Sequence, residues 1–539
     1  MSLPLQDSRS LPPATAGITC NVLVIGGGPA GCWAALEAAG AGANVVLVDK
    51  GYCGSSGATA SAGTQIWYVP PEAEALDAAM ASREAMGGYL SERSWMAPVL
   101  DKTFENVNRL ADWGYPFPRD ESGEQQRISV QGPEYMRLLR RRVKNAGVAI
   151  LDHHPAIRLL TEDGRVVGAT GLRRQQGGQW RVAAGAVVLA TGGCAFMSKA
   201  LGCDVLTGDG YLMGAEAGAE LSGMEFSSAY AISPAFASIT KTALYRFAQF
   251  YDRDHSLIEG AGSARGRSII ARTLLSQPVY ARLDLAGSDE VKAILRRAQP
   301  NFFVPFDRRG IDPFTEFFEV KLRLEGTVRG TGGLRLTGLD CATTVAGLYA
   351  AGDNATREPI CGGFTGGGSH NAAWAMSTGA FAGAAAAAFA REKAERPRND
   401  PPQPALQTTA ARKEPADPAA IVRAVQDEVF PLDINYFRTH SGLSAALARL
   451  DALWTRNAAA TAADESQILP LRQAQAMIAT ARFMYRAALA RTETRGMHRR
   501  EDFPNQDPAQ HFRLVLSGLD DVTIRREAVI TGIYKEAAE

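Results

Sequence analysis

The 539-residue chain has no surplus of charge of either sign: Lys and Arg total 57, and so do Asp and Glu. A protein made to hold nucleic acid or an anionic membrane carries a basic excess, so neither is expected as the main partner. The chain also lacks any C-x-x-C pair. Its seven cysteines, Cys20, Cys32, Cys53, Cys194, Cys203, Cys341 and Cys361, are scattered. That argues against zinc or an iron–sulfur cluster held by this chain, so no metal site is expected. An odd, scattered set fits a reducing compartment, hence a cytoplasmic location. The N-terminal MSLPLQDSRSLPPATAG has no apolar core behind a charged leader, so residues 1–18 read as a disordered tail and not as a signal peptide. No transmembrane segment is expected. The most apolar helix candidate, AAWAMSTGAFAGAAAAAFA, is Ala/Gly-rich and short of a membrane span, and reads as a buried helix.

What the chain does have is glycine, 54 residues of it, gathered in a few loops, which signals close backbone approach to a ligand. The first such loop lies in CNVLVIGGGPAGCWAALEAAGAGANVVLVDK. The apolar run Val22–Ile25 reads as a buried parallel strand. Gly26, Gly28 and Gly31 then form G-x-G-x-x-G ahead of a helix, and a second strand, Val45–Val48, ends in Asp49. In this arrangement the first glycine permits the turn, the second lets the backbone approach a pyrophosphate, and the third lets the helix pack on the strand. The helix N-terminus offers amide donors, and the acid at the end of the second strand accepts from ribose hydroxyls. A dinucleotide site is therefore expected.

Further along, a helical stretch is expected near Leu76–Leu110. A hairpin turns at Asp163-Gly164, and a strand with the buried run Ala186–Ala190 ends at Thr191-Gly192-Gly193. The fold class is α/β (α+β overall). A nucleotide-binding Rossmann-like domain spans 19–223, and an inserted domain of looser pattern spans 224–329. The nucleotide domain resumes at 330–392, a Pro-rich linker covers 393–418, and a helical C-terminal domain with a polar tail covers 419–539. A chain of this length needs two or three domains.

Six segments occur in an order that resembles the flavoprotein subunits of succinate dehydrogenase and fumarate reductase. That family also includes L-aspartate oxidase and the adenylylsulfate reductase flavoprotein. The segments are VIGGGPAG with Asp49, GSSGATASAGT, AVVLATGG, TGDGYLMGAEAGAELSGMEF, GLYAAGD and ARTETRGMHRREDFP. The resemblance implies FAD as the dinucleotide, with the inserted domain as a cap over the flavin. It places along the cofactor Gly26, Gly28, Pro29, Ala30, Gly31, Asp49 and Lys50, then Ser55, Ser56, Ala58, Thr59, Gly63 and Thr64. It adds Ala156, Ala190, Thr191, Gly192, Gly193 and Asp209, with Asp353 after Gly352 near the ribityl chain. Gly368, Ser369 and Asn371 open a helix whose amides face the flavin edge. Covalently flavinylated members carry a His where this chain has Ser56, so the FAD is expected to be non-covalent.

The resemblance fails where that family holds a dicarboxylate. Its two histidines correspond to Tyr230 and Val328, the latter followed by Arg329, and one of its arginines corresponds to Thr365. The surviving position is the proton-delivering arginine, Arg267 in GRSIIAR, with Arg265 and Arg272 as close neighbours. Loss of three of four ligands argues against fumarate, succinate and aspartate. The turn GGGSHNAAW is most similar to the adenylylsulfate reductase branch, which makes His370 a candidate beside the reacting atoms. The expected catalytic set is thus Arg267, Tyr230, Arg329, Thr365 and His370. His153, His154, His498, Arg495 and Arg499 read as mainly structural.

The expected function is FAD-dependent hydride transfer between flavin N5 and a small-molecule substrate. Two alternatives stay open: an electron-transfer subunit of a complex with an iron–sulfur protein, and an oxygen-dependent amino or hydroxy acid oxidase. A ferredoxin-like iron–sulfur subunit is the partner implied by the resemblance, and both homo- and hetero-oligomers remain open.

Overall fold

A computed structural model describes residues 17–240, 242–264, 266–364, 368–394 and 416–530. Most of the expected tail (1–18) and linker (393–418) fall outside these residues.

The longest apolar runs pair with one another at the centre. Strands Ala149–Leu151, Val45–Val48, Ile18–Ile25 and Gln179–Leu189 lie side by side, and the neighbours from 149 to 189 are all parallel. The first expected strand starts earlier than the apolar run suggested. Gln179–Leu189 has two roles. Its second half pairs in parallel with Leu348–Ala350, and its first half pairs antiparallel with Arg165–Leu172 of the hairpin that turns at Asp163-Gly164. Both turn residues have positive φ (50° and 72°), as a tight two-residue hairpin turn requires. Val22, Leu23, Val24, Leu47, Val187 and Val188 are buried on both faces of the sheet.

Two helices press on this sheet. Pro29–Gly40 follows the first glycine turn, and Gly368–Ala394 follows the second. A side chain at Gly379 would sit 2.4 Å from the Ala30 carbonyl oxygen, and one at Gly383 would sit 2.2 Å from that of Ala34. These glycines, four residues apart, bring the two helix backbones together. Their spacing explains the Ala/Gly-rich composition of the second helix, which is longer than expected. By length and composition Ser369–Glu392 could cross a membrane, yet 61% of its apolar window is buried inside the protein, where it forms a core helix.

The region near Leu76–Leu110 is two helices, Ala73–Met86 and Arg93–Asp112, separated at Gly87-Gly88. The insertion builds its own antiparallel sheet in the order Tyr230–Pro234, Phe318–Leu324, Val279–Arg282, Gln249–Tyr251, over a separate core that includes Phe250, Phe302, Phe306 and Phe318. The C-terminal helices Pro418–Val429, His440–Asn457 and Glu465–Ala490 pack on one another. The tail, expected to be merely polar, forms a hairpin, Phe512–Ser517 with Thr523–Ala528, that adds to the short strand Leu221–Ser222.

Candidate active site

The glycine turns, the insertion and the C-terminal segment all border one continuous cavity of about 1030 Å³. Single-ligand pockets run to roughly 1,000 Å³ at most, so this volume suits a large cofactor with a substrate beside it.

At one end the cavity is lined by Gly26, Gly28, Pro29, Ala30, Asp49, Lys50, Ala156, Ala190, Thr191, Gly192 and Asp209. Gly26 takes φ +113°, and a Cβ there would meet the Ala190 carbonyl oxygen at 2.2 Å. At Gly28 a Cβ would meet nothing within 4 Å, so the backbone faces open space over the helix N-terminus. Gly31 points inward instead: a Cβ there would collide with the Gly26 carbonyl oxygen at 1.8 Å. Asp49 Oδ2 accepts from the Gly27 amide at 2.7 Å, and its Oδ1 accepts from Gly51 N at 2.7 Å and Ser56 Oγ at 3.0 Å. Lys50 and Asp209 form an ion pair at 2.6 Å on the cavity wall. His154, read as structural, is a wall residue here too. Its Nδ1 lies 2.6 Å from the Asp152 carbonyl oxygen, and its amide donates to the Asp49 carbonyl.

The middle is walled by Ser56, Ala58, Thr59, Gly63, Thr64, Gly352, Asp353 and Asn371. Asp353 pairs with Nη1 of the buried Arg357, whose Nη2 donates to the carbonyls of Val328 (3.2 Å) and Gly330. Arg357 thereby fastens the Val328-Arg329 turn to the second glycine loop. The sequence reading missed it; its trace is an arginine four residues after Asp353 in GDNATREP. Asn371 reinforces the same turn by donating to the Val328 carbonyl at 2.9 Å.

The far end is built from three parts of the chain: the insertion, the return at Val328-Arg329, and the C-terminal segment at Tyr436, Met497 and Arg499. Arg267 begins the helix Arg267–Leu274, and it donates from Nη1 to the Tyr230 carbonyl at 3.1 Å and from Nη2 to the Ser263 carbonyl at 2.6 Å. Burial, and then the neighbouring Arg329 charge, pull its guanidinium down to about 10, so it stays protonated at neutral pH. Arg329 donates to the fully buried Glu325 at 3.2 Å, and Glu325 also accepts from Thr240 Oγ1 at 2.6 Å. Arg272 turns away to pair with Glu501 and lie over Phe437, and Arg265 lies outside the described residues.

Several expected positions are corrected. The Tyr230 hydroxyl points at the C-terminal segment, donating to the carbonyls of Val429 (2.8 Å) and Phe430 (3.2 Å), and burial pushes the phenol above its ordinary range. Tyr230 borders the cavity and its carbonyl accepts from Arg267, while its hydroxyl is engaged by the C-terminal segment. His370 is fully buried against Trp67, ring centroids 4.7 Å apart, with Nδ1 3.3 Å from Ser369 Oγ, and neither residue lines the cavity. Ser55 faces a separate groove with Tyr52 and Arg140. Gly193 packs on Thr327. Gly368 begins the second core helix. Thr365 falls outside the described residues. His498 does act structurally: Arg438 donates to its Nδ1 at 2.7 Å and its Nε2–H donates to the Arg491 carbonyl at 3.1 Å. Burial and the Arg438 charge hold it neutral.

Comparison with known proteins agrees with this geometry. The FAD binding domain family matches residues 21–231, and the fumarate reductase flavoprotein C-terminal family matches residues 427–536. The chain belongs to the fumarate reductase/succinate dehydrogenase flavoprotein family. It is an FAD-dependent oxidoreductase. The fumarate reductase flavoprotein subunit of Mycobacterium tuberculosis is 28% identical, over 91% of this chain and 93% of the relative. The L-aspartate oxidase of Mycobacterium bovis is also 28% identical, over 93% and 96%. The fold superposes on E. coli quinol fumarate reductase with a TM-score of 0.82 at 20% identity, covering 97% of this chain and 98% of that one. Adenylylsulfate reductase from Archaeoglobus fulgidus gives 0.78 at 20%, covering 96% and 97%. The open backbone at Gly28, the Asp49 carboxylate and the polar wall at Asp353 lie on a single cavity surface.

Proposed function

We propose that this flavoprotein exchanges a hydride with a small-molecule substrate other than a four-carbon dicarboxylate, at the end of the cavity bounded by Arg267 and Arg329. FAD, when bound, supplies the two-electron chemistry at its N5. Within the chain, Arg267 is held by two carbonyls, keeps its charge, and orients or stabilises negative charge on the substrate as a bond changes order. Its Nε–H has no acceptor among the described residues. Even lowered to about 10, its guanidinium stays protonated at neutral pH and is a poor general base, so its part in proton transfer rests on the family resemblance.

The observation that carries this reading is the loss of both histidine positions. Tyr230 directs its hydroxyl into the C-terminal segment, and Val328 belongs to a small apolar cluster with Ala195, Ala200, Cys203 and Leu206. Neither group can grip a second carboxylate. The reducing equivalents pass to an iron–sulfur partner in this reading, consistent with relatives named as flavoprotein subunits. An oxidase that uses oxygen is the second reading, favoured by the L-aspartate oxidase relatives. The test is turnover of fumarate with a reduced dye, expected at background. A rate on the order of 1 per second or more, ordinary for an enzyme, would overturn it. Hydrogen peroxide production during substrate oxidation separates the oxidase reading from the partner reading.

A further inference from the structure

We infer that Arg499 joins Arg267 and Arg329 in a subsite for an oxyanion, so that the substrate carries a carboxylate or phosphate-type group held at the insertion end of the cavity. This deepens the proposed function and rests on it.

The C-terminal segment around Arg499 holds several arginines, and most are fully engaged. Arg438 donates to Glu225 O, Asn435 and His498; Arg491 pairs with Glu225 and Glu493; Arg495 pairs with Glu493; Arg500 pairs with Asp502. Arg499 differs. Its guanidinium has no hydrogen-bond or ion-pair partner among the described residues, lies 5.4 Å over the Tyr436 ring, and lines the cavity. Tyr436 in turn packs edge-on to Tyr230 at 5.7 Å, the residue whose carbonyl holds Arg267. Arg267 and Arg499 thus meet at one pair of tyrosines, and Arg329 lines the same cavity close enough for its charge to act on Arg267.

Charge balance points the same way. Among the described residues, no Asp or Glu lines this end of the cavity. Of the acids on the wall, Asp49 and Asp209 are at the cofactor end and Asp353 is in the middle, and the last two already have cationic partners. The buried Glu325 partly offsets the arginines, through its bond to Arg329. Arg246 adds a further cation at the exposed rim. Arg267 and Arg499, partly buried and without a carboxylate partner among the described residues, are available to an anion, and their planar forks match oxyanions.

The test uses the oxidised holoenzyme, without turnover. Acetate and phosphate are titrated at constant ionic strength against chloride, and the flavin absorbance change is followed. A saturable change with either anion supports the subsite, and the anion that binds more tightly identifies the carboxylate or the phosphate type. Arg499→Ala is expected to weaken that binding tenfold or more, while Arg297→Ala, an exposed arginine on the insertion, binds like wild type. Arg499→Lys keeps the charge but not the fork, and is expected to fall several-fold. It carries the test if the alanine variant loses flavin. No saturable response in wild type, or unchanged binding in the Arg499 variants, overturns the inference. A response lost in those variants alongside normal fumarate turnover would leave the subsite standing and overturn the proposed function instead.

Discussion

Arg267 is held by carbonyls at two of its nitrogens and faces a second arginine, so its charge is stabilised only weakly by the protein and is available to a ligand. Arg267→Ala is expected to keep FAD and fold while slowing flavin reduction or reoxidation by the true substrate roughly a hundredfold, the effect of removing about 3 kcal/mol of transition-state stabilisation. Arg272→Ala should react nearly as wild type, because its guanidinium pairs with Glu501 on the outside. Stopped-flow bleaching of the two variants side by side checks this; equal effects would show that Arg267 has no special position. Glu358 presents a different residue-scale case. It is fully buried, accepts from Ser222, and is pushed up to about 7 by burial and then by the nearby Glu225. The folded state therefore holds a proton that the unfolded chain releases near pH 4.5. The stability linked to it is full below that pH and is lost as pH rises to about 7, on the order of 1–3 kcal/mol. Glu358→Gln cannot titrate, so the Tm of wild type should fall relative to that variant between pH 5 and 8. Parallel curves would show that Glu358 is ionised throughout.

At the scale of elements, the two glycine loops and their helices were legible because each glycine has a steric reason visible as spacing. Gly26, Gly28 and Gly31 follow from dinucleotide geometry, and the Ala/Gly-rich helix follows from close packing. The C-terminal hairpin was not legible: Thr523–Ala528 is mostly exposed and polar, and the pairing of its partner strand Phe512–Ser517 with Leu221–Ser222 joins segments nearly 300 residues apart. Arg357 was missed for the same reason, since its carbonyl partners at Val328 and Gly330 are remote in sequence. The helix contact yields its own prediction. Alanine normally stabilises a helix over glycine by up to about 1 kcal/mol. At Gly383 the added carbon would strike the Ala34 carbonyl oxygen at 2.2 Å, a backbone atom that cannot swing aside. Gly383→Ala should therefore lower Tm, at a cost of about 1–3 kcal/mol. Gly40→Ala, at the end of the facing helix with nothing within 4 Å, should be neutral or stabilising. Thermal melts of both variants with flavin content measured decide it, and a stabilised Gly383→Ala would show that the helices are not in close contact.

At the scale of the whole molecule, three parts of the chain meet around the cavity. The order of the sequence motifs conveyed the cofactor end, since those residues lie within short segments. The substrate end was less legible, because Tyr230, Arg267, Arg329, Tyr436 and Arg499 are brought together by tertiary packing alone. The same arrangement makes the cofactor a mechanical tie between the parts, and that has a measurable consequence. The loop Gly54–Thr64 contains no histidine, and Ser56 is hydrogen-bonded to Asp49, so nothing in that loop is placed to form a bond to the flavin. The purified protein should be yellow, and acid precipitation should leave all of the flavin in the supernatant. A ligand that binds only the folded state stabilises it by about 2.7 kcal/mol at a hundred times its Kd. Protein stripped of FAD should accordingly melt several degrees lower and recover its Tm in proportion to added FAD. Both halves of the experiment matter. Flavin that stays in the pellet would overturn the non-covalent assignment, whereas flavin released freely with no change in Tm would mean that the cofactor does not hold the three parts together.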